Sequence, residues 1–287
     1  MYLKSPYPDL PPLPMVNAHH IFFKRPDQAE WPDYTLHIDA MTGKRVMYRD
    51  WLRDVEDLST AFAGPTSEGC MGLQGWNEGE GAEVVAPGRK EIIGIMSENS
   101  SVGASFRHQW TWLIVQWPRL TQKHPGRSPA LPTTLSRPSK HWLTFIPQEY
   151  IALVHASIRI AVPYVLISSY STPFELKHSL KLSKATRLFV DAKFLKTVLP
   201  VAKEVGLSED RIYLMKETGA SKKLKTFRGI IQNVRKRKVP LVDIRPAGKD
   251  TLAYLVFSSG TSGLPKGMYI FAAVGLCQKC SRTYLFI

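Results

Sequence analysis

A ten-residue run, SSGTSGLPKG at 258–267, combines the residue types that bind phosphate. Its three glycines allow tight turns that present backbone N–H groups to an anion. Hydroxyl groups add donors, and one lysine adds a full positive charge. A flexible Gly/Ser surface loop is the alternative, but the particular order of hydroxyls, glycines, proline and lysine favours a phosphate site. Its candidate binding residues are Ser258, Ser259, Gly260, Thr261, Ser262, Gly263 and Lys266.

The pattern differs from the G-x-x-x-x-G-K-[ST] phosphate loop, because here a glycine follows the lysine. The run comes directly after an apolar stretch, TLAYLVF at 251–257, which predicts a strand. Ligands of open α/β sheets bind at the carboxyl ends of strands, so this is a suitable place for a phosphate site.

The elements that must position this loop follow an alternating pattern from residue 91 onward. Such alternation predicts an α/β fold with a mostly parallel sheet flanked by helices. The predicted strands are 91–96, 163–168, 186–192, 211–215 and 251–257 (expected to be the last), and the predicted helices are 149–162, 171–185, 193–206 and 224–238.

Local signals refine two of these predicted helices and add a third. Thr172 and Glu175 form a capping-box pattern at the start of one helix. Pro200 predicts a kink or break in the next helix, and Gly206 suits its end. The segment YRDWLRDVEDLSTAFA at 48–63 predicts a surface helix.

The net charge of +14 is concentrated in parts of the chain. Residues 102–148 hold six Lys or Arg and no Asp or Glu, and residues 216–249 hold eleven against two. The basic runs at 221–225 and 234–239 could be a nuclear signal or a nucleic-acid patch. A solvated helix face is the favoured interpretation, so no nucleic-acid partner is expected.

Several other classes of site lack support in the sequence. No run of eighteen apolar residues indicates a membrane span, and the first residues lack the apolar core of a signal peptide. The pair Cys277 and Cys280 is half of a zinc pattern without a second half, so no metal site is expected. No G-x-S-x-G pattern supports a serine hydrolase. His155 and His178 lie in helical patterns and are expected to be packed or surface residues.

The stretch YLVFSSGTSGLPKG at 254–267 resembles the signature loop of the AMP-forming adenylating enzymes, which include acyl-CoA synthetases, coumarate–CoA ligases and luciferases. Ser262 stands where many members have threonine, which keeps the hydroxyl. Segments 37–51, 92–101 and 150–192 also resemble the family, so the resemblance covers most of the chain.

The resemblance implies a ligase that uses ATP, Mg²⁺ and coenzyme A. A small carboxylic acid attacks the α-phosphate of ATP to give an acyl-adenylate and pyrophosphate, and the thiol of coenzyme A then displaces AMP. The loop would hold the β- and γ-phosphates. Which acid reacts stays open, and the implied location is cytoplasmic or peroxisomal.

Two segments depart from the family pattern, which otherwise makes residues 1–267 a partial N-terminal AMP-binding domain. We interpret residues 102–148 as a retained-intron insertion; a basic, aromatic-rich binding insertion and a disordered loop are the alternatives. We interpret residues 268–287 as a non-family tail produced by read-through into an intron.

The family's catalytic residues lie in later parts that find no match here, so none is assigned and the chain itself is expected to be inactive. The alternative is a non-catalytic nucleotide-binding or basic interaction protein built on the same half-domain.

Overall fold

The computed structural model describes residues 16–24, 26–38, 43, 45–75, 91–97, 148–216, 224–248, 251–258, 265–271 and 284–285. Within these ranges the strands form two sheets. The smaller sheet pairs β1 (Thr35–Ile38) antiparallel with β2 (Arg45–Met47). The larger sheet has eight strands.

The larger sheet is mostly parallel, which confirms the predicted α/β fold class. Its parallel strands are β3 (Ile93–Met96), β4 (Tyr164–Leu166), β5 (Arg187–Val190), β6 (Ile212–Leu214), β7 (Lys225–Thr226) and β8 (Leu252–Ser258). With β9 (Lys266–Phe271) and β10 (Tyr284–Leu285), the strand order is β10-β9-β8-β4-β3-β5-β6-β7, and neighbouring strands from β8 to β7 run parallel.

The expectation that 251–257 is the last strand was wrong. Strand β8 is followed by β9 (Lys266–Phe271), which pairs with it antiparallel, and by β10 (Tyr284–Leu285), which pairs with β9. The hairpin could not be recognised from the sequence, because the order of residues in the Gly-rich run between its strands indicates a ligand loop and not a turn.

Helices cover both faces of the larger sheet. The described helices are α1 (Ala18–Phe23), α2 (Tyr48–Ala63), α3 (Gln148–Arg159), α4 (Pro173–Ser183), α5 (Leu195–Val205) and α6 (Phe227–Arg237). We call the side covered by α2, α3 and α6 the first face, and the side covered by α4 and α5 the second face. Alternate strand residues point to opposite faces: Ile93 and Ile95 pack in the core of the first face, and Ile92 and Met96 in that of the second.

Helix α2 has the predicted bounds, but the expectation that it lies at the surface was wrong. Val55, Leu58 and Phe62 are fully buried, and α2 packs between α3 and α6. Its charged residues suggested exposure in the sequence. Two of them, Asp54 and Asp57, are buried because they pair with arginines of α6.

The ion pairs also explain part of the basic helix pattern at 224–238. Arg228 and Arg235 both donate to Asp54, at 2.6 and 2.8 Å, and Arg235 also donates to Asp57 at 2.6 Å. The predicted solvated face is therefore partly a contact between α6 and α2, whereas Lys236 is exposed as expected. Residues 225–226, predicted as part of this helix, form β7, and α6 begins directly after them at Phe227, with Thr226 as its N-cap.

On the second face the predicted start of α4 is confirmed. The Thr172 hydroxyl accepts a hydrogen bond from the backbone N–H of Glu175, and the Glu175 carboxylate accepts one from the backbone N–H of Thr172. This capping box satisfies two of the N–H groups that a helix start leaves without partners.

The prediction for Pro200 was a kink or a break, and helix α5 has no break there; it ends at Val205, and Gly206 follows with a left-handed backbone, as predicted. Proline removes one backbone hydrogen bond from a helix. Burial of Val198, Val201 and Ala202 against the sheet compensates for that loss.

Most of the two atypical segments lies outside the described residues. Of the interruption at 102–148, the structure describes only Gln148, where α3 begins, and the interpretation as intron translation stays a prediction. Of the segment 268–287, the structure describes residues 268–271, which belong to β9, and residues 284–285, which form β10. Among the described helices, none is long and apolar enough to cross a membrane.

Candidate functional site

The predicted phosphate loop connects two antiparallel strands. Strand β8 ends at Ser258 and β9 begins at Lys266, and these two residues are register partners across the base of the hairpin. The next pair, Phe257 and Gly267, continues the ladder. The structure thus brings together the first and the last of the predicted binding residues. The others, Ser259, Gly260, Thr261, Ser262 and Gly263, lie outside the described residues.

The hairpin base lies at the carboxyl edge of the parallel sheet, because Ser258 ends β8, which pairs parallel with β4. The same edge carries a buried polar contact that the sequence analysis did not single out. The hydroxyl of Ser97, one residue after β3, donates to the carboxylate of Asp191, one residue after β5, at 3.0 Å. Polar residues that directly follow predicted neighbouring strands are the signal that could have identified this pair.

Helix α4 touches the loop where the loop enters β9. Nε2 of His178 lies 3.1 Å from the carbonyl oxygen of Pro265, the residue before Lys266. Four residues along the same helix, Leu182 lies so close to Gly267 that a Cβ atom added there would be 3.3 Å from Leu182 Cδ2. A glycine at this position therefore allows β9 to approach α4.

Lys266 is half-buried at this site, and Gly267 beside it is buried. A lysine side chain carries a full positive charge that attracts an anion. The arrangement can therefore attract and orient a phosphate at the end of a parallel strand.

Two other histidines, His19 and His155, lie in the core of the first face. His155 is packed there, as expected. The His155 ring is edge-on to Phe23 and Trp51, with centroids 5.0 and 5.3 Å away. Burial lowers the pKa of His155 to about 4. Burial, followed by the charge of Arg159, lowers the pKa of His19 to about 3. Both side chains are therefore neutral near pH 7, as packing in an apolar core requires.

A cavity of about 640 Å³ lies elsewhere, at the amino ends of β5, β6 and β7. Cationic side chains from separate elements line it: Arg187, Arg211, Lys225 and Arg237. Arg187 pairs with Glu91, and Arg237 donates to the amide oxygen of Asn233 at 3.1 Å. Neither Ser258 nor Lys266, the two predicted phosphate-binding residues within the described ranges, lies there, so we do not assign the site to this cavity.

The described ranges contain no cluster of three or more His, Cys, Asp or Glu side chains that could hold a metal ion. Cys277 and Cys280, which were considered as half of a zinc pattern, lie outside those ranges.

Comparison with protein families gives a match between residues 148–282 and the AMP-binding enzyme family. Two curated relatives are the acyl-CoA ligases AKT1 and AFT1-1 of Alternaria alternata, each 32% identical over 123 residues. These alignments cover 41% of this chain and 21% of each relative. The chain thus spans about a fifth of the length of the curated relatives it matches.

Solved structures with the same fold include the anthranilate CoA ligase AuaEII in complex with anthranoyl-AMP, with a TM-score of 0.57 and 15% identity. That match covers 91% of this chain and 36% of AuaEII. ATP-bound MatB from Rhodopseudomonas palustris has a TM-score of 0.51 and 13% identity, over 89% of this chain and 35% of MatB. At these identities the likeness concerns the fold alone.

Proposed function

Because residues 148–282 match the AMP-binding enzyme family and the chain has the fold of AuaEII, we propose that it carries the phosphate-binding part of an ATP-dependent carboxylate–CoA ligase. In the proposed reaction a small carboxylic acid and ATP give an acyl-adenylate and pyrophosphate, and coenzyme A then gives a thioester and AMP. The observation that carries the proposal is the hairpin base, where Lys266 lies opposite Ser258 at the carboxyl edge of the sheet.

The described residues fit the phosphates of ATP. Lys266 is held by the β8–β9 ladder and is half-buried, so its backbone has a defined position at the carboxyl edge. In this proposal the ammonium group of Lys266 stabilises the negative charge on the β- and γ-phosphates as pyrophosphate leaves. When bound, Mg²⁺ shares that charge, and coenzyme A supplies the thiol for the second step.

Titration with pyrophosphate in the presence of Mg²⁺ tests the phosphate site. A charge-assisted contact contributes about 1.5–3 kcal/mol, so Lys266→Ala should raise the Kd by about ten- to a hundredfold. Lys266→Arg should rescue only part of the affinity, because the broad guanidinium does not replace a compact ammonium group. The control is Lys225→Ala, which removes a charge from β7, at the far end of the strand order from β9 and β10. This variant should change the Kd by less than about twofold.

Calorimetry gives the Kd, and the Gly267 amide signal in nuclear magnetic resonance spectra reports where the ligand binds. An equal loss of affinity in the Lys225 and Lys266 variants would mean non-specific anion binding to a surface of net charge +14, and the proposal would then be wrong.

Exchange of labelled pyrophosphate into ATP, measured with a panel of carboxylic acids, separates the ligase from a non-catalytic nucleotide-binding protein. Exchange that Lys266→Ala abolishes would support catalysis by this chain. Binding that depends on Lys266, without exchange for any acid, would support the nucleotide-binding alternative.

A further inference from the structure

We infer that His178 is a positioning residue for the phosphate loop: through a hydrogen bond to the Pro265 carbonyl it orients the peptide that carries Lys266. This inference rests on the proposed function, because it assigns a role to His178 at the same site. It concerns a contact between residues 87 positions apart in the chain.

The direction of the hydrogen bond follows from the chemistry of its two partners. A backbone carbonyl oxygen can only accept, so Nε2 of His178 must carry the hydrogen and donate it across the 3.1 Å separation. This contact selects the imidazole tautomer with hydrogen on Nε2 whenever the ring is neutral.

The carbonyl of Pro265 belongs to the same planar peptide unit as the backbone nitrogen of Lys266. The peptide plane is rigid, so a bond that holds this carbonyl also sets the direction in which the chain enters Lys266. On the other side of Lys266, the close packing of Leu182 on Gly267 leaves little room for the backbone to move. His178 and Leu182, separated by one helical turn, therefore hold both sides of the lysine.

The helix that carries these two side chains is itself anchored. The capping box of Thr172 and Glu175 defines its start, and the buried Leu176 and Leu180 pack it against the sheet. A donor on such a helix keeps its place without a ligand, and pre-organised positions of this kind reduce the entropy that binding would otherwise cost.

Two substitutions of His178 separate the hydrogen bond from the rest of the side chain. In His178→Gln the amide nitrogen can take the place of Nε2 and donate to the Pro265 carbonyl. In His178→Asn the amide lies one bond nearer the backbone, at the place of Nδ1, and does not reach that carbonyl. Both variants replace the ring with a small neutral amide, so they differ chiefly in reach.

The experiment uses the full chain and measures the Kd for pyrophosphate with Mg²⁺, together with amide hydrogen exchange of Lys266 and Gly267 without ligand. His178→Asn should raise the Kd by about three- to tenfold and accelerate the exchange, and His178→Gln should stay within about twofold of the wild type in both. The urea midpoint of unfolding should be equal in the two variants, because a general loss of packing would affect both.

A double-mutant cycle adds a result that a merely structural role would not give. If His178 acts by placing Lys266, His178→Asn should have almost no effect on the Kd in a Lys266→Ala background. An additive loss would overturn the inference, and so would wild-type affinity and exchange in His178→Asn. If the wild type binds no pyrophosphate but His178→Asn still accelerates exchange at Lys266, the proposed function fails while the positioning contact stands.

Discussion

The first face of the sheet buries titratable side chains within its packing, whereas the described core of the second face is built mainly from aliphatic residues. On the first face, Arg159 donates to the Ser59 hydroxyl at 2.9 Å and to the Val242 carbonyl at 2.6 Å. Asp54 and Asp57 pair with arginines of α6 on that same face. These groups bond to other parts of the chain, so they tie α2, α3 and α6 together.

On the second face the polar side chain that concerns the candidate site, His178, lies at the margin of the sheet. His178 is half-buried on α4 and reaches the loop exit beside Lys266. The difference teaches that burial and perturbed ionisation do not by themselves mark a functional site in this protein. The strongly lowered pKa values of His19 and His155 belong to packing, and the candidate site is distinguished by its place at the carboxyl edge.

The largest expected effect that tests this comparison concerns a matched pair of phenylalanines. Phe62 on the first face is fully buried, with its ring 5.7 Å from that of Phe189, and Phe62→Ala should lower the free energy of unfolding by about 3–5 kcal/mol. Phe174 on the second face is 67% exposed, and Phe174→Ala should change it by less than about 0.5 kcal/mol. Urea denaturation measures both; similar losses would contradict the packing of Phe62 in the core of the first face.

A second effect concerns the pH dependence of stability. Because burial lowers the pKa of His19 from 6.5 to about 3, the unfolded chain binds a proton at this residue more readily than the folded one. Its contribution to stability is therefore complete above pH 6.5 and is lost as the pH falls below that value, by about 2 kcal/mol at pH 5.

Urea denaturation between pH 7.5 and 5 measures this loss. His19→Phe keeps an aromatic ring and should remove about half of the pH dependence, because the buried His155, with its pKa lowered to about 4, still contributes; the exposed His20→Asn should leave the dependence as in the wild type. A His19→Phe variant that is just as sensitive to acid would mean that this buried imidazole does not drive the loss on the first face.

The smallest expected effect concerns the start of α4 on the second face. Thr172→Ala removes the hydroxyl of the capping box and should lower the free energy of unfolding by about 1 kcal/mol, whereas Thr172→Ser should keep most of it. Amide exchange in the first turn of α4 should accelerate in the alanine variant alone. Equal exchange in both variants would show that packing of Leu176 and Leu180, and not the cap, holds this end of the helix.

Much of the local structure could be predicted from the sequence because its signals act between near neighbours. The capping box joins residues three apart, and Gly206 ends a helix through its own backbone conformation. The apolar runs that form β3 to β6 are buried on both sides, which is typical of parallel strands between helices. The order of residues in 258–267 indicated a phosphate loop for the same reason, because its chemistry is contained in one short segment.

The chain's own pattern could not reveal contacts that depend on how helices pack. The charges of α2 suggested a surface helix, and only the position of α6 shows that Arg228 and Arg235 neutralise Asp54. Pro200 suggested a break, but packing of the surrounding apolar residues against the sheet keeps α5 continuous.

The sequence by itself determined the fold class and most of the elements between residues 91 and 257, and it predicted a phosphate loop, because periodicity, capping and turn chemistry act over a few residues. Tertiary structure alone decided which side chains support that loop. His178 and Pro265 are 87 residues apart, and no local pattern links a histidine on α4 to a carbonyl at the start of β9. Their contact exists because the hairpin of β8 and β9 folds back along the sheet margin, where α4 packs against it.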